Sequence, residues 1–347
     1  MKPRSLDVLI VSPEADIHSL TVANRLIRCG YAVSITDTRW LDDRELVSNL
    51  GKNLYPSFRF GDVTISSKTS VWWRRPKSPS CSYEPREATV KNFVASQKRM
   101  ALFGLLNTAS SHIINDPQLE QAAEYKSLQL STAMKCDLTI PETCITNSFD
   151  EATAFIDALQ AQGAECIFKP LAPPSDRMAE TRIINKANLK AEELEIAPAI
   201  FQRCVQKGHD IRVFLAGEHL FAAGVVTQHS ELVDWRLDPL VEYTETILPE
   251  QLASKCQQLL ALLGLQSGSI DIRIDHNGVP VFLEINPSGQ FLFMQTDLNY
   301  AVAEAMAQVL TQRNGPCNLH GCAGHRKERG VKSLSVKVGA KNRSKKT

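Results

Sequence analysis

Two carboxylates and an amide occupy matching positions in two neighbouring strand-like segments near the end of the sequence. Residues 268–290 read GSIDIRIDHNGVPVFLEINPSGQ, in which apolar and polar residues alternate on both sides of Asn277-Gly278. An Asn-Gly pair favours a two-residue type I′ turn, so the segment is predicted to be a β-hairpin. This turn predicts a register in which Asp271 lies opposite Glu284, Arg273 opposite Phe282, and Ser269 opposite Asn286.

The predicted register places Asp271, Glu284 and Asn286 on one face of the hairpin, because side chains alternate along a strand. Opposed carboxylates lie about 5 Å apart and repel each other unless a cation lies between them. Oxygen ligands at this spacing suit Mg²⁺. The alternative is an ordinary hairpin with a solvated polar face, but such a face does not need two opposed acids and an amide. The other face is predicted to meet a core and carries Ile270, Ile272, Ile274, Val281, Leu283 and Ile285.

Cationic side chains at strand ends could supply the counter-charge for phosphates at such a site. Lys169 closes the apolar strand CIFKP, where the following proline keeps it extended and lets its ammonium point into a cleft. A strand-end lysine is more often solvated. In the strand DIRVFL, residues 210–215, Asp210 and Arg212 share one face while Ile211 and Val213 share the other.

The segment SVWWRRPKSP, residues 70–79, places Trp72, Trp73, Arg74 and Arg75 in succession. Adjacent strand residues face opposite sides, so one Trp and one Arg fall on each side. Two interpretations stay open. An arginine could contact a carboxylate or phosphate bidentately, or it could form a salt bridge to a neighbouring subdomain.

Alternating strands and helices must position these residues. The first third predicts a strand at 7–12, a helix at 17–29 and a strand at 32–36, which is the pattern of a parallel sheet. Its first turn, SPEADIHS, lacks the glycines of a dinucleotide site. Further helices are predicted over 88–106, 118–136, 149–162, 249–263 and 300–312. A polar segment with prolines, 171–186, is predicted to be a mobile lid.

Composition excludes several classes of protein. The 347 residues can bury a substantial core and divide into two or three subdomains. No apolar run approaches a membrane span, no signal-peptide layout is present, and nine scattered cysteines suit a reducing compartment, so we expect a cytoplasmic protein without a membrane partner. From Gly315 onward there are nine Lys or Arg and one acid. This tail could contact nucleic acid or an acidic peptide, but solubility is the favoured role and a nucleic-acid partner is not expected. Its Cys317, His320, Cys322 and His325 match no standard zinc spacing.

In their order along the chain, these motifs resemble the ATP-grasp superfamily of ligases. The chain presents a strand-end Lys-Pro, an extended strand, a DIRV strand and then Asp271…Glu284-x-Asn286. The narrower resemblance is to the graspetide synthetases, the microviridin- and marinostatin-type peptide maturases. It covers residues 6–310 and rests on VWWRRP, IPETCITN, IFKPL, APAIFQRCVQKGHDIRV, VDWR and GSIDIRIDHNGVPVFLEINPSGQFLF.

The resemblance implies a mixed α/β (α+β) ATP-grasp fold. Its parts would be a pre-ATP-grasp α/β domain at 1–115, a central subdomain with the lid at 116–205, a C-terminal subdomain with the metal hairpin at 206–314, and a disordered basic tail at 315–347. The implied cofactors are ATP and Mg²⁺. The implied site residues are Lys126 and Lys169 for nucleotide phosphates, Gln202 and the backbone near Val205 for adenine, Asp271, Glu284 and Asn286 for Mg²⁺, and Arg212 and Arg273 for phosphate or acyl phosphate.

Three functions follow from the sequence. The first is an ATP-dependent macrocyclase that activates Asp or Glu side chains of a ribosomal precursor peptide, with a leader and an acidic core, and joins them to Ser/Thr hydroxyls or Lys amines. The second is a ligase of the same fold that adds free amino acids to a protein or a small acid. The third is a non-catalytic nucleotide- or peptide-binding partner, which would not need the complete set of predicted Mg²⁺ ligands. The resemblance also implies a homodimer.

Overall fold

The computed structural model describes residues 4–39, 45–48, 50–51, 57–77, 87–172, 181–227 and 235–312. The strands are β1 Arg4–Ser5, β2 Val8–Val11, β3 Val33–Thr36, β4 Leu46–Ser48, β5 Phe58–Phe60, β6 Val63–Ile65, β7 Ser70–Trp73, β8 His112–Ile114, β9 Thr143–Thr146, β10 Cys166–Pro170, β11 Arg182–Ile184, β12 Ala199–Arg203, β13 Lys207–Ala216, β14 His219–Val226, β15 Glu242–Glu245, β16 Ser267–Asp275 and β17 Pro280–Asn286. The helices are α1 Ile17–Arg28, α2 Ala88–Ala109, α3 Pro117–Ala123, α4 Lys126–Lys135, α5 Phe149–Ala161, α6 Ala191–Ile196, α7 Glu250–Leu262, α8 Leu292–Thr296 and α9 Val302–Thr311.

The N-terminal part contains the predicted parallel sheet, in the order β3-β2-β7-β8. Helix α1 joins β2 to β3 and begins at the cap Asp16, whose side chain accepts a hydrogen bond from the Ser19 backbone N–H at 2.8 Å. Beyond the helix, Gly30 has φ +91°, a conformation that glycine adopts most readily. A second small sheet, β1-β6-β5-β4, packs its phenylalanines into the same core.

Two antiparallel sheets follow and together position the predicted site. The four-stranded sheet has the order β11-β10-β12-β9, and helices α5 and α6 bury their apolar faces against it. The five-stranded sheet has the order β15-β14-β13-β16-β17 and packs on α4 and α7. The predicted mixed α/β class is therefore confirmed. The predicted domain boundaries stay predictions, and the tail 315–347, with its Cys/His group, lies outside the described residues.

The single helix predicted over 118–136 is wrong. Two helices, α3 and α4, are separated at Glu124 and Tyr125, where Tyr125 has an extended backbone (φ −68°, ψ 111°). The buried Gln129 side chain stabilises the break by donating to the Ala123 carbonyl at 2.7 Å and to the Ile285 carbonyl at 2.9 Å. The break makes Lys126 the first residue of α4, beside β17.

The predicted hairpin is present, but its turn differs from the prediction. Residues 276–278 form a three-residue loop, in which the Gly278 N–H donates to the Asp275 carbonyl at 3.0 Å and Gly278 has φ +81°. This loop places Arg273 opposite Val281 and not, as predicted, opposite Phe282. An irregularity between Asp271 and Ile272 then restores the predicted register, so Asp271 does lie opposite Glu284 and Ser269 opposite Asn286.

The same irregularity changes which side chains face the core. Phe282 joins the buried cluster with Ile270, Ile272 and Ile285, whereas Leu283 turns to the opposite side. The prediction that Leu283 lies in the core is therefore wrong. Within the described residues, no helix is both long enough and apolar enough to span a bilayer.

Candidate active site

The predicted site residues converge between the two antiparallel sheets. One cavity there is lined by Lys169, Gln202, Val205, Asp271, Arg273 and Glu284, together with Ile167, Thr181, Arg203, Cys204, Trp235, Arg236 and Leu283. An adjoining cavity is lined by Lys126, Asn286 and neighbouring residues, and it shares Lys169, Thr181, Arg236 and Glu284 with the first. Eight of the nine predicted residues therefore line two connected cavities. The ninth, Arg212, lies directly behind Asp271.

Asp271 on β16 is held by Arg212 from the neighbouring strand β13. The Arg212 Nη1 atom lies 2.6 Å from each carboxylate oxygen of Asp271, and both side chains are buried. Burial raises the pKa of Asp271, and the adjacent guanidinium opposes that rise. Within the part of the chain that the structure describes, the buried Nε atom of Arg212 and the hydroxyl of Ser269 beside it have no hydrogen-bond partner. Arg212 therefore fixes the orientation of the carboxylate that is predicted to bind metal.

Glu284 on β17 is surrounded by cations. Its Oε2 atom accepts a hydrogen bond from Lys126 Nζ at 2.7 Å, and its Oε1 atom lies 3.5 Å from Arg236 Nη1. Burial would raise the pKa of Glu284, but Lys126, Arg236 and Lys169 outweigh it and hold the pKa at about 2. Glu284 is therefore ionised throughout the physiological range. Sequence reasoning did not select Arg236 as a site residue, although it ends the VDWR motif.

The second predicted arginine, Arg273, contacts a different acid. Its Nε and Nη2 atoms donate to the Asp210 carboxylate at 2.7 and 2.9 Å, and Nη1 lies 3.4 Å from the Val205 carbonyl. Arg273 and Asp210 face each other across β13 and β16, as do Arg212 and Asp271. The two pairs form a buried charge ladder that ties the sheet to the segment following β12.

Gln202, Val205 and Leu283 form a further part of the cavity lining. Gln202 is buried on β12, with its Nε2 atom donating to Thr143 Oγ1 at 2.7 Å. Val205 follows β12, and Leu283 faces the cavity because of the strand irregularity described above. Sequence alternation could not identify Leu283, because it assigned this residue to the core.

The predicted metal ligands Asp271, Glu284 and Asn286 suit a Mg²⁺ ion that is also bound by a phosphate ligand. Among the residues that the structure describes, no three His, Cys, Asp or Glu side chains come together as a metal centre. Two carboxylates and one amide supply only part of an octahedral shell, and Mg²⁺ is commonly completed by water and phosphate oxygens. The cations around Glu284 suit the same polyanionic ligand.

The two arginines of the VWWRRP motif form hydrogen bonds with the loop after β17, residues 287–289. Arg74 Nη1 donates to the carbonyls of Ser288 and Gly289 at 2.8 and 2.9 Å, and Arg75 donates to the Ser288 carbonyl through Nε at 3.1 Å and Nη2 at 2.9 Å. Both sequence interpretations, a carboxylate or phosphate contact and a salt bridge, therefore missed the main partners, which are backbone carbonyls. Arg74 also lies over the rings of Trp72 and Phe291.

A buried acid, Glu120 on α3, meets the same loop. The Ser288 hydroxyl lies 2.7 Å from Glu120 Oε1 and is also within bonding distance of the Arg74 carbonyl. A single hydroxyl hydrogen cannot serve two acceptors, so a proton on Glu120 satisfies both contacts. Burial accordingly raises the pKa of Glu120 to about 7, and the hydrogen bonds that Ser288 and Asn115 can donate to its ionised form counter only part of that rise.

The raised pKa of Glu120 makes folding stability depend on pH. The folded chain keeps this proton to a higher pH than the unfolded chain, so the stabilisation is fully present below pH 4.5 and is lost as the pH rises through about 7. The shift corresponds to about 3 kcal/mol. We expect the free energy of unfolding of the wild type, minus that of Glu120→Gln, to fall by this amount across the window. Urea unfolding at a series of pH values measures it, and a difference that does not vary with pH would contradict the prediction.

The architecture is shared with solved ATP-grasp enzymes. A Chryseobacterium gregarium RiPP-associated ATP-grasp ligase, in complex with ADP and a leader and core peptide, aligns at 22% identity and TM-score 0.78, covering 94% of this chain and 100% of that one. The macrocyclase MdnC from Microcystis aeruginosa, bound with precursor peptide MdnA, aligns at 22% identity and TM-score 0.75, covering 88% and 99%. The macrocyclase MdnB from the same organism aligns at 25% identity and TM-score 0.73, covering 89% and 99%.

The chain has the ATP-grasp fold. No protein-family model matches the sequence, and comparison with curated proteins finds no match. The fold is thus recognised through the three-dimensional arrangement, at sequence identities of 25% or less in these three alignments. In this ATP-grasp fold the cavity lies between the two antiparallel sheets, and both acids line it.

Proposed function

We propose that this protein is an ATP-dependent ligase that activates Asp or Glu side chains of a ribosomal precursor peptide as acyl phosphates. It then joins them to Ser/Thr hydroxyls or Lys amines, forming ω-ester or ω-amide macrocycles. One observation carries the proposal: the opposed Asp271 and Glu284, ringed by cations, lie between the two sheets of an ATP-grasp fold. The likeness to solved macrocyclases and to a RiPP-associated ligase supports the choice of a peptide substrate.

The charge arrangement suits carboxylate activation. A carboxylate does not condense with an alcohol or amine in water because hydroxide is a poor leaving group, whereas an acyl phosphate reacts readily. Forming it brings anionic carboxylate and phosphate groups together, so catalysis depends on fixed positive charge. Lys126, Lys169 and Arg236 are cations that act on Glu284.

The predicted roles of individual residues remain part of this proposal. Lys126 and Lys169 would contact nucleotide phosphates, and Asp271, Glu284 and Asn286 would hold Mg²⁺, which when bound neutralises phosphate charge. Gln202 and the backbone near Val205 would receive the adenine ring, with Leu283 as an apolar wall. Arg212 and Arg273 would act on phosphate or acyl phosphate. We add Arg236, which contacts Glu284, to the cations that would act on phosphate.

The mass of a candidate acidic precursor peptide, after incubation with the protein, ATP and Mg²⁺, tests the proposal. Loss of one water per ring is the expected result. Gain of an amino-acid residue would instead establish the free-amino-acid ligase. If the mass is unchanged for precursors that a same-fold macrocyclase does convert, and no ADP is released, the chain is a non-catalytic binding partner and the proposal fails.

We further propose that the protein acts in the cytoplasm, since ATP and newly made ribosomal peptides are both available there. We also propose that it forms a homodimer. The first turns of α2 present Val90, Phe93 and Met100 on one side of the helix, and Phe93 and Met100 are 64% and 66% exposed. Of this 22-residue helix only Leu102, Leu106 and Ala109 are buried. An exposed apolar face of this kind is typical of an interface.

The α2 face predicts a change of oligomeric state in one variant. We expect Phe93→Glu to convert a dimer into a monomer, because two charges would be buried at a symmetric contact. Light scattering after size exclusion measures the mass. Lys91→Glu, an exposed change on the same helix but on another side, is the control. A wild-type monomer, or a Phe93→Glu dimer, would refute this assignment.

A further inference from the structure

We infer that Arg74 and Arg75 are positioning residues for the proposed metal site. They hold the loop 287–289 and, through it, the metal ligand Asn286 and the Asp271-binding Arg212. The inference rests on the proposed function. It concerns a motif at the end of β7, in the N-terminal parallel sheet and outside the two antiparallel sheets that form the cavity.

Arg74 and Arg75 hold the loop 287–289 through several hydrogen bonds to a short stretch of its backbone. The Ser288 carbonyl accepts three hydrogen bonds, one from Arg74 and two from Arg75, and the Gly289 carbonyl accepts another from Arg74. In return, the Ser288 hydroxyl contacts the Arg74 carbonyl. The two guanidinium groups therefore hold the loop by its carbonyls, and the Arg74 backbone carbonyl holds it by the Ser288 side chain.

Stability alone does not account for this arrangement. Arg74 is only 2% exposed, and its Nε and Nη2 atoms have no hydrogen-bond partner among the described residues. Its Nε atom lies 3.8 Å from Asp16 Oδ2, a longer separation than a charged hydrogen bond. Burying a guanidinium with incomplete pairing costs free energy that an apolar residue would not cost. What Arg74 does provide is a rigid two-carbonyl contact, which an apolar side chain cannot make.

The loop 287–289 is linked to two of the three proposed metal ligands, Asn286 and Asp271. Asn286 precedes it by one residue along the chain. Gly289 packs so tightly that a Cβ atom there would lie 2.5 Å from Ser269 Oγ and 2.8 Å from Arg212 Nη2. Arg212 in turn orients Asp271. A shift of the loop would therefore displace the Asn286 amide and disturb the Arg212–Asp271 pair together.

Arg75 is the better residue to test, because it is only half-buried and its replacement leaves the core intact. We expect Arg75→Gln to weaken Mn²⁺ binding in the presence of ADP at least about tenfold, as loss of an outer contact to a metal ligand does. Electron paramagnetic resonance of free Mn²⁺ measures it without relying on turnover. Arg75→Lys, which keeps the charge and one donor, is expected to be intermediate.

Two comparisons separate positioning from a general structural role. Arg59→Gln, in the same N-terminal part and with an exposed ion pair to Glu45, should bind Mn²⁺ as the wild type does. Arg75→Gln should keep its affinity for ADP without metal and its melting temperature. Equal Mn²⁺ affinity for Arg75→Gln and wild type would overturn the inference, as would a parallel loss of thermal stability and metal-free ADP binding. A wild type that binds no Mn²⁺ with ADP would overturn the proposed function first, and this inference with it.

Discussion

Glu284→Gln is expected to lower ADP release at least about 100-fold while leaving the fold intact. Glu284 is the only acid contacted by both Lys126 and Arg236 among the described residues, and its pKa of about 2 keeps it charged at working pH. A neutral amide of the same shape cannot balance these cations or bind a divalent ion equally well. Coupled ADP release measures the rate, and circular dichroism checks the fold.

The control for Glu284→Gln is Glu242→Gln, on the exposed edge strand β15 of the same sheet. We expect this variant to keep wild-type turnover and a wild-type melting curve. Normal ADP release by a well-folded Glu284→Gln variant would overturn the assignment of the acid pair. The pH dependence gives a second check. Because the pKa of Glu284 lies far below neutrality, its titration should contribute no acid limb to the wild-type turnover between pH 5 and 8.

Gly289→Ala is the second substitution with a large expected effect. The added Cβ would lie 2.6 Å from Ser269 Cβ and 2.8 Å from Arg212 Nη2, and neither group can yield easily. Ser269 is fully buried on β16, and Arg212 is bound to Asp271 at 2.6 Å. The overpacking should cost about 1–3 kcal/mol of stability. Displacement of Arg212 should lower turnover about 100-fold, because catalysis is sensitive to shifts of about 1 Å.

Gly104→Ala provides the matched control for this substitution. Gly104 lies in helix α2, and an added Cβ there would meet no atom of the described residues of the same chain within 4 Å. Alanine should stabilise the helix by up to about 1 kcal/mol and leave turnover unchanged. ADP release and thermal unfolding are measured on both variants. Wild-type turnover by Gly289→Ala would mean that the loop does not constrain Arg212.

Local pattern was enough to predict many of the strands and helices and the opposition of the two acids. Alternation on both sides of Asn277-Gly278 predicted the hairpin and the opposition of Asp271 to Glu284, which the structure confirms. The strand-end position of Lys169 and the polar face of DIRV likewise predicted residues that lie at the cavity or directly behind it. These predictions depend on the chain trace and on side-chain alternation, both of which are properties of short segments.

The hairpin also shows how two local errors can cancel. The turn has one residue more than predicted, and an irregularity beside Asp271 shifts the register back by one. The pairing of the acids was therefore right, while the positions of Arg273 and Leu283 were wrong. Alternation cannot reveal such an irregularity, because the extra residue is accommodated by packing against other elements.

The sequence by itself determined the first parallel β-α-β unit, the two strands of the hairpin, the charged residues available to the site, and the opposition of the two acids. Only the tertiary structure decided what each cation contacts. Arg212 and Arg273 bind acids on a neighbouring strand, Lys126 reaches Glu284 because α3 and α4 separate at Tyr125, and Arg74 and Arg75 bind a loop more than 200 residues away. A charged side chain takes whichever partner the fold brings within a few ångströms, and that proximity depends on the packing of distant segments rather than on neighbours in the chain.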